Sequence, residues 1–380
     1  MSLQMFGALF MHAHDSQEIL DDPAALQEVI EGWEDMGRLI FEMPFRPGET
    51  PLHRVPNLED VLFHYYYDGE YNDLWAMETC DQARHFARAA DIPGVFSGGW
   101  YDPFAVATTD QYATMAAKNS TPQRLLMGPW THQGMRNGAT SCGDVEFGPD
   151  AGFGSHVYNA LRLRWFDRWL KDIETGVDND SPVRIFIMGG GSGRRNARGQ
   201  LEHGGVWRSE GEWPLERTEL RTLHMRAGGG LTDEPPRADE SPSTYIHDPE
   251  HPVPSIAASV TGLSELVRVP GGLDPAQWPP RYRAKPLLIE GGAHQKEEQD
   301  RFGSEPPYPL LADRQDVLVF ETEPLEEDIE ITGGVAVTLW VSSSAVDTDF
   351  AAKLVDVYPS TDDYPEGYHL NLADSIIRCR

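Results

Sequence analysis

The chain has 380 residues, 40% hydrophobic and 24% charged, the usage of a packed globular protein rather than a disordered, collagen-like or disulfide-stapled one; at ~100–200 residues per domain it should hold about two to three domains. Its 61 acidic and 31 basic residues leave a formal charge of −30, a field that repels phosphate backbones and anionic lipid and argues against nucleic acid or a membrane as partner. Among the basic residues only Lys118, Lys171, Lys285, Lys296 and Lys353 are lysines, a balance that fits a salt-adapted surface.

No apolar run approaches the roughly 18 residues of a membrane span. The first basic residue is Arg38, so the start of the chain lacks the charged region of a secretory signal, and a cytoplasmic location is expected. Cys80, Cys142 and Cys379 are too few and too scattered for a zinc knuckle or a disulfide framework, and read as buried or incidental thiols.

In chain order, His12-Ala13-His14 comes first: on a strand both imidazoles would share a face and could ligate a metal, although a polar rim is the better reading. Residues 15–88 read as helices around a Pro-rich break. Asp22 as N-cap and Pro23 at the first helical position open an amphipathic helix to Ile40, with Leu26, Val29, Ile30 and Trp33 at helical spacing. Residues 45–56 form a loop, and a second helix begins at Asn57 and ends in the aromatic cluster His64–Tyr67.

Near Asp91 the period changes. Ile92–Ser97 is a strand-like run ending in Gly98-Gly99 and followed by Trp100-Tyr101-Asp102-Pro103; Ala105–Lys118 is helical; Arg124–Gly128 is again strand-like and leads into Pro129-Trp130-Thr131-His132. Strand, helix, strand predicts a parallel βαβ unit, whose chemistry belongs at the carboxyl ends of the strands. Asp102 and His132 stand there. A carboxylate that accepts from one imidazole nitrogen fixes the tautomer and leaves the other nitrogen to take a proton from a nucleophile, so two members of a triad are candidates. The competing reading is a turn aspartate before Pro103 and an unrelated surface histidine.

A further amphipathic helix spans His156–Lys171. From Pro182 the pattern is β-like, with strands expected at Val183–Met188 and Val335–Val341 and a sandwich or jelly roll of about 200 residues. Gly189-Gly190-Gly191 lacks the Lys-Ser/Thr of a phosphate loop and reads as a turn. Asp347-Thr348-Asp349, with Asp356 similar, could chelate Ca²⁺ but two acids alone are not a site.

The segments GGWYDPF (98–104) and GPWTHQG (128–134) resemble the CocE/NonD family of serine hydrolases, which includes cocaine esterase and X-Pro dipeptidyl-peptidases. Residues 164–190, 207–225 and 316–359 are similar to the link into, the start of and the body of that family's C-terminal jelly roll. The resemblance implies a helical cap at residues 1–88, the C-terminal half of an α/β-hydrolase domain at 89–178 and a truncated jelly-roll β-sandwich at 179–380: an α/β plus β fold. It also implies Asp102 as triad acid, His132 as triad base, an acyl-enzyme mechanism without metal or organic cofactor, and a small acyl ester, amide or peptide substrate. Trp100, Tyr101 and Trp130, beside the acid and base, are candidates for the wall of an acyl pocket, as part of an aromatic set with Tyr65, Tyr66, Tyr67, Tyr71 and Trp75.

One member of the triad is missing from its expected place. The nucleophile should sit on a G-x-S-x-G elbow upstream of both partners, yet the only serines before Asp102 are Ser2, Ser16 and Ser97, none in that motif. Gly189–Gly193 holds Ser192 downstream with the wrong spacing. The chain therefore reads as an internal piece of a longer hydrolase carrying the Asp and His only, expected to associate with itself or with a missing N-terminal segment. A non-catalytic binding or assembly module and, more remotely, a metal-dependent hydrolase are the alternatives.

Overall fold

The computed structural model describes residues 9, 11–34, 44–132, 134–259 and 289–379. These residues divide into two compact units, one made by the chain up to Ala89 together with Asp300–Phe302, the other by the rest from Ala90.

In the first unit, helix α1 (Pro23–Glu34) starts as expected: the Asp22 carboxylate accepts from the N–H groups of Ala24 and Ala25, two of the orphan donors of a helix start. Residues 35–40 of the expected helix lie outside the described residues. Helix α2 (Pro56–Tyr67) begins with its proline in the first turn, where a missing N–H costs nothing. The buried Glu59 of α2 accepts from Gly48 N at 2.9 Å and Thr50 Oγ1 at 2.5 Å, tying down the Pro-rich loop between the two helices. Ala13, Ile19, Ala25, Val29, Leu52, Val55 and Leu62 form the core. Residues 11–14 are helical, not extended, so His12 and His14 diverge, and the shared face on which the metal reading depended does not exist.

The second unit is built on one four-stranded sheet. Strand β1 (Gly94–Gly99) runs into helix α3 (Ala105–Lys118) and back into β2 (Gln123–Gly128), parallel to β1 and in register from Gly94 with Gln123 to Gly99 with Gly128. Helix α4 (Gly154–Lys171) leads on to β3 (Val183–Met188), parallel to β2, and β4 (Gly205–Glu210) closes the row antiparallel to β3. The order is β1-β2-β3-β4. Leu125, Met127, Val183, Ile185 and Tyr112 of α3 fill one face, as expected for strands buried within an α/β layer. Strand β3 lies beyond residues 178 and 179, where a domain boundary was expected, so the sheet runs across that point.

The C-terminal β region is led by a long antiparallel ribbon, β5 (Thr348–Tyr358) and β6 (Tyr368–Cys379), with a register shift at Leu354/Val355. Residues 335–341, expected as a strand, make no ladder among the described residues and are exposed, Trp340 at 92%. Their β-branched alternation is a preference for a pleated surface, and a strand exists only where a neighbour accepts its hydrogen bonds. No helix among the described residues is long and apolar enough to cross a membrane.

Candidate active site

Both chemistry-bearing turns leave the sheet at the same rim, because β1 and β2 are adjacent and in register up to their terminal glycines. Those glycines are demanded by one neighbour. A Cβ on Gly99 would overlap the Trp130 carbonyl, and a Cβ on Gly128 would overlap the Trp130 indole. With both side chains absent, the turn after β2 folds down onto the turn after β1: Trp100 N donates to Gly128 O at 2.9 Å and Tyr101 N to Trp130 O at 3.1 Å.

This clasp brings Asp102 to His132. The imidazole Nδ1 donates to Asp102 Oδ2 at 3.1 Å, and Phe104 N donates to Asp102 Oδ1 at 2.9 Å. The carboxylate is 8% exposed and the imidazole 40%. Phe104 meets the imidazole edge-on, ring centroids 5.2 Å apart. Nδ1 is thus spoken for, and Nε2 has no hydrogen-bond partner among the described residues. Such a ring can accept a proton on Nε2 while a buried carboxylate stabilises the resulting cation.

Two of the three aromatics expected in the pocket wall, Tyr101 and Trp130, are placed differently. Tyr101 and Trp130 are core side chains, 1% and 2% exposed. Trp130 Nε1 donates to Ala151 O at 2.8 Å, its ring packing on Phe153 and Trp207; Trp100 Nε1 donates to Phe186 O at 2.8 Å. With their polar atoms committed and their rings enclosed, Tyr101 and Trp130 build the frame beneath the turns, while Trp100 is half-buried beside Trp213. The aromatics of the first unit likewise contact one another: Tyr65 meets Trp75 edge-on at 5.2 Å and Tyr67 Oη donates to Phe45 O at 2.9 Å. Phe104, half exposed beside His132, was not singled out from sequence, although an aromatic directly after an Asp-Pro turn is a usable signal.

Among the described residues, no group of three His, Cys, Asp or Glu side chains is arranged to hold a metal. Asp347 and Asp349 pair with Arg378, at 3.6 and 2.9 Å. Gly191 and Gly193 have positive φ in a turn where Ser192 Oγ donates to Glu202 Oε2 at 3.3 Å. Burial pushes the Cys142 thiol up to about 12, which makes it inert as a nucleophile.

A buried carboxylate hydrogen-bonded to a half-exposed histidine at the carboxyl ends of neighbouring parallel strands defines an α/β protein with a polar pair where open α/β sheets carry their ligands and chemistry. Comparison with known proteins agrees with that class. Residues 28–134 match the X-Pro dipeptidyl-peptidase (S15 family), and residues 175–378 match the X-Pro dipeptidyl-peptidase C-terminal non-catalytic domain. The cocaine esterase of Rhodococcus sp. (strain MB1 Bresler) is 30% identical over 346 residues, covering 87% of this chain and 49% of its own length. A solved α-amino acid ester hydrolase, labelled with selenomethionine, superposes with a TM-score of 0.55 at 24% identity over 87% of this chain and 48% of its own, which shows a shared fold. The chain belongs to the CocE/NonD family of cocaine esterase and X-Pro dipeptidyl-peptidases. It spans about half the length of the curated relative it matches.

Proposed function

We propose that this protein is a serine hydrolase acting on ester or amide bonds of small acyl or peptide substrates, in which Asp102 and His132 are the acid and base. The observation that carries the reading is the Asp102–His132 hydrogen bond at adjacent strand ends, with Nε2 left for a nucleophile. In the reaction, a serine hydroxyl gives its proton to His132 Nε2 as its oxygen attacks the carbonyl carbon. His132 returns that proton to the leaving alcohol or amine, and water, activated in the same way, cleaves the acyl-enzyme. Asp102 keeps the proton of the neutral ring on Nδ1 and stabilises the imidazolium. No serine or threonine hydroxyl is hydrogen-bonded to His132 among the described residues, and no G-x-S-x-G elbow precedes Asp102. We therefore assign the nucleophile to polypeptide other than residues 1–380.

Fluorophosphonate labelling of the full gene product, with peptide mapping, tests both parts. The expected result is a label on a serine outside residues 1–380 that disappears in His132→Ala. A His132-dependent label on a serine within residues 1–380 would overturn the assignment of the nucleophile. A folded product that takes no His132-dependent label would overturn the hydrolase reading.

A further inference from the structure

The turn that carries Asp102 is pinned from below by the side chain next to it. Tyr101 is enclosed in a core cluster that also holds Phe147 and Phe186 together with Tyr358, Tyr368 and Leu370 of the β5–β6 ribbon and Tyr364 of its connecting turn. Its hydroxyl donates to the Asn371 carbonyl on β6 at 3.2 Å. Burial raises the phenol above its ordinary pKa, which favours the neutral hydroxyl that donates this bond.

The receiving end is as firmly held. Asn371 is 1% exposed and sits beside the register shift of the ribbon, where Val355 faces Asn371 while Leu354 faces Ala373. Its Oδ1 accepts from Ala293 N at 2.7 Å and Gln295 Nε2 at 3.4 Å, and its Nδ2 donates to Gly291 O at 3.4 Å. A Cβ on Gly292 would stand 2.9 Å from Tyr101 Oη, so the tyrosine passes directly against the 291–295 backbone that Asn371 organises. A bulge that re-aims the chain is well suited to such a fixed socket.

By contrast, the Asp102 turn itself leaves a strand that has, among the described residues, one neighbour in the sheet, and its carboxylate is held by one backbone N–H and one ring N–H. A 1 Å error in such a pair can cost ~100-fold in rate.

We infer that Tyr101 is a positioning residue through which the C-terminal β region, matched to a domain described as non-catalytic, fixes Asp102 against His132. The inference rests on the acid–base reading of that pair. Its test reads the ring without reference to turnover: the tautomer of neutral His132, from ¹⁵N chemical shifts of histidine-labelled protein. Wild type is compared with Asp102→Asn, Tyr101→Phe and Tyr112→Phe, the last a control in another buried tyrosine, packed on Phe96. Wild type is expected to carry the proton on Nδ1, and Asp102→Asn to move most of it to Nε2. Tyr101→Phe, which keeps the ring and its packing, is expected to lower the ratio of Nδ1–H to Nε2–H several-fold with thermal unfolding nearly unchanged, while Tyr112→Phe matches wild type. If Asp102→Asn leaves the tautomer alone, the acid–base reading falls and takes this inference with it. If Asp102→Asn moves it but Tyr101→Phe does not, or Tyr112→Phe moves it equally, Tyr101 is packing alone and only this inference falls.

Discussion

Two carboxylates join β1 to β2, one at each end of the pair. Before the strands, Asp91 accepts four hydrogen bonds at 2.6–3.0 Å, from the backbone N–H and the hydroxyl of both Ser120 and Thr121. After the strands, Asp102 accepts one bond from a backbone N–H and one from the His132 ring. Both tie the same βαβ unit together, but the first is saturated by groups that do not titrate. The second accepts from a histidine ring that keeps its other nitrogen open. A carboxylate bridging two strand ends is therefore not a site in itself; the chemistry of its partner makes it one.

The largest effect that separates the two ends is expected at the second. Asp102→Asn should lower kcat of the full gene product on an activated ester by about 10⁴-fold, as loss of the orienting acid does in serine hydrolases; steady-state kinetics would check it. A loss below ~10-fold would make Asp102 the same kind of staple as Asp91. The clasp between the turns is next. Trp130→Ala removes a fully buried indole and its bond to Ala151 O, and should destabilise the protein by about 3–5 kcal/mol in denaturant unfolding. Gly99→Ala forces a methyl into the Trp130 carbonyl and should cost about 1–3 kcal/mol in the same measurement, with the His132 tautomer disturbed as well.

The smallest effect belongs to Asp91. Hydrogen bonds from the Ser120 and Thr121 hydroxyls, then from their N–H groups, hold its carboxyl well below the usual carboxylate range. A depressed folded pKa means that the bridge stabilises fully above the unfolded value, ~3.9, and is lost as pH falls below it. Asp91→Asn should therefore lower the melting temperature slightly at neutral pH, with the gap narrowing only below about pH 4. A gap that closes between pH 7 and 5 would mean that the staple is held by some other group. Activity per folded molecule should be unaffected, in contrast to Asp102→Asn.

Much of this arrangement was legible in the chain. The run Ala105–Lys118 between two short apolar strands predicts the βαβ unit, and the helix has those bounds. The polar residues after each strand predict the pair, because a parallel unit delivers both strand ends to one rim. Sequence shows that the rings of Tyr101 and Trp130 are near the pair but not which way they face, and both face the core. Asn371 and Asp91 carried no local signal: their partners are 270 and about 30 residues away. Val335–Val341 has every local mark of a strand yet pairs with nothing described.

What the amino-acid sequence determined by itself is local or periodic: the helix start at Pro23, the α/β alternation, the acidic composition and the family. These follow from spacing, caps and residue order, which need no partner. The tertiary structure alone decided that Asp102 is buried and His132 half exposed, that Trp130 occupies the space two glycines leave, and that a phenol couples the acid's turn to a distant β ribbon. Burial, close approach and hydrogen bonding across hundreds of residues are properties of packing, and packing exists only once the chain has folded.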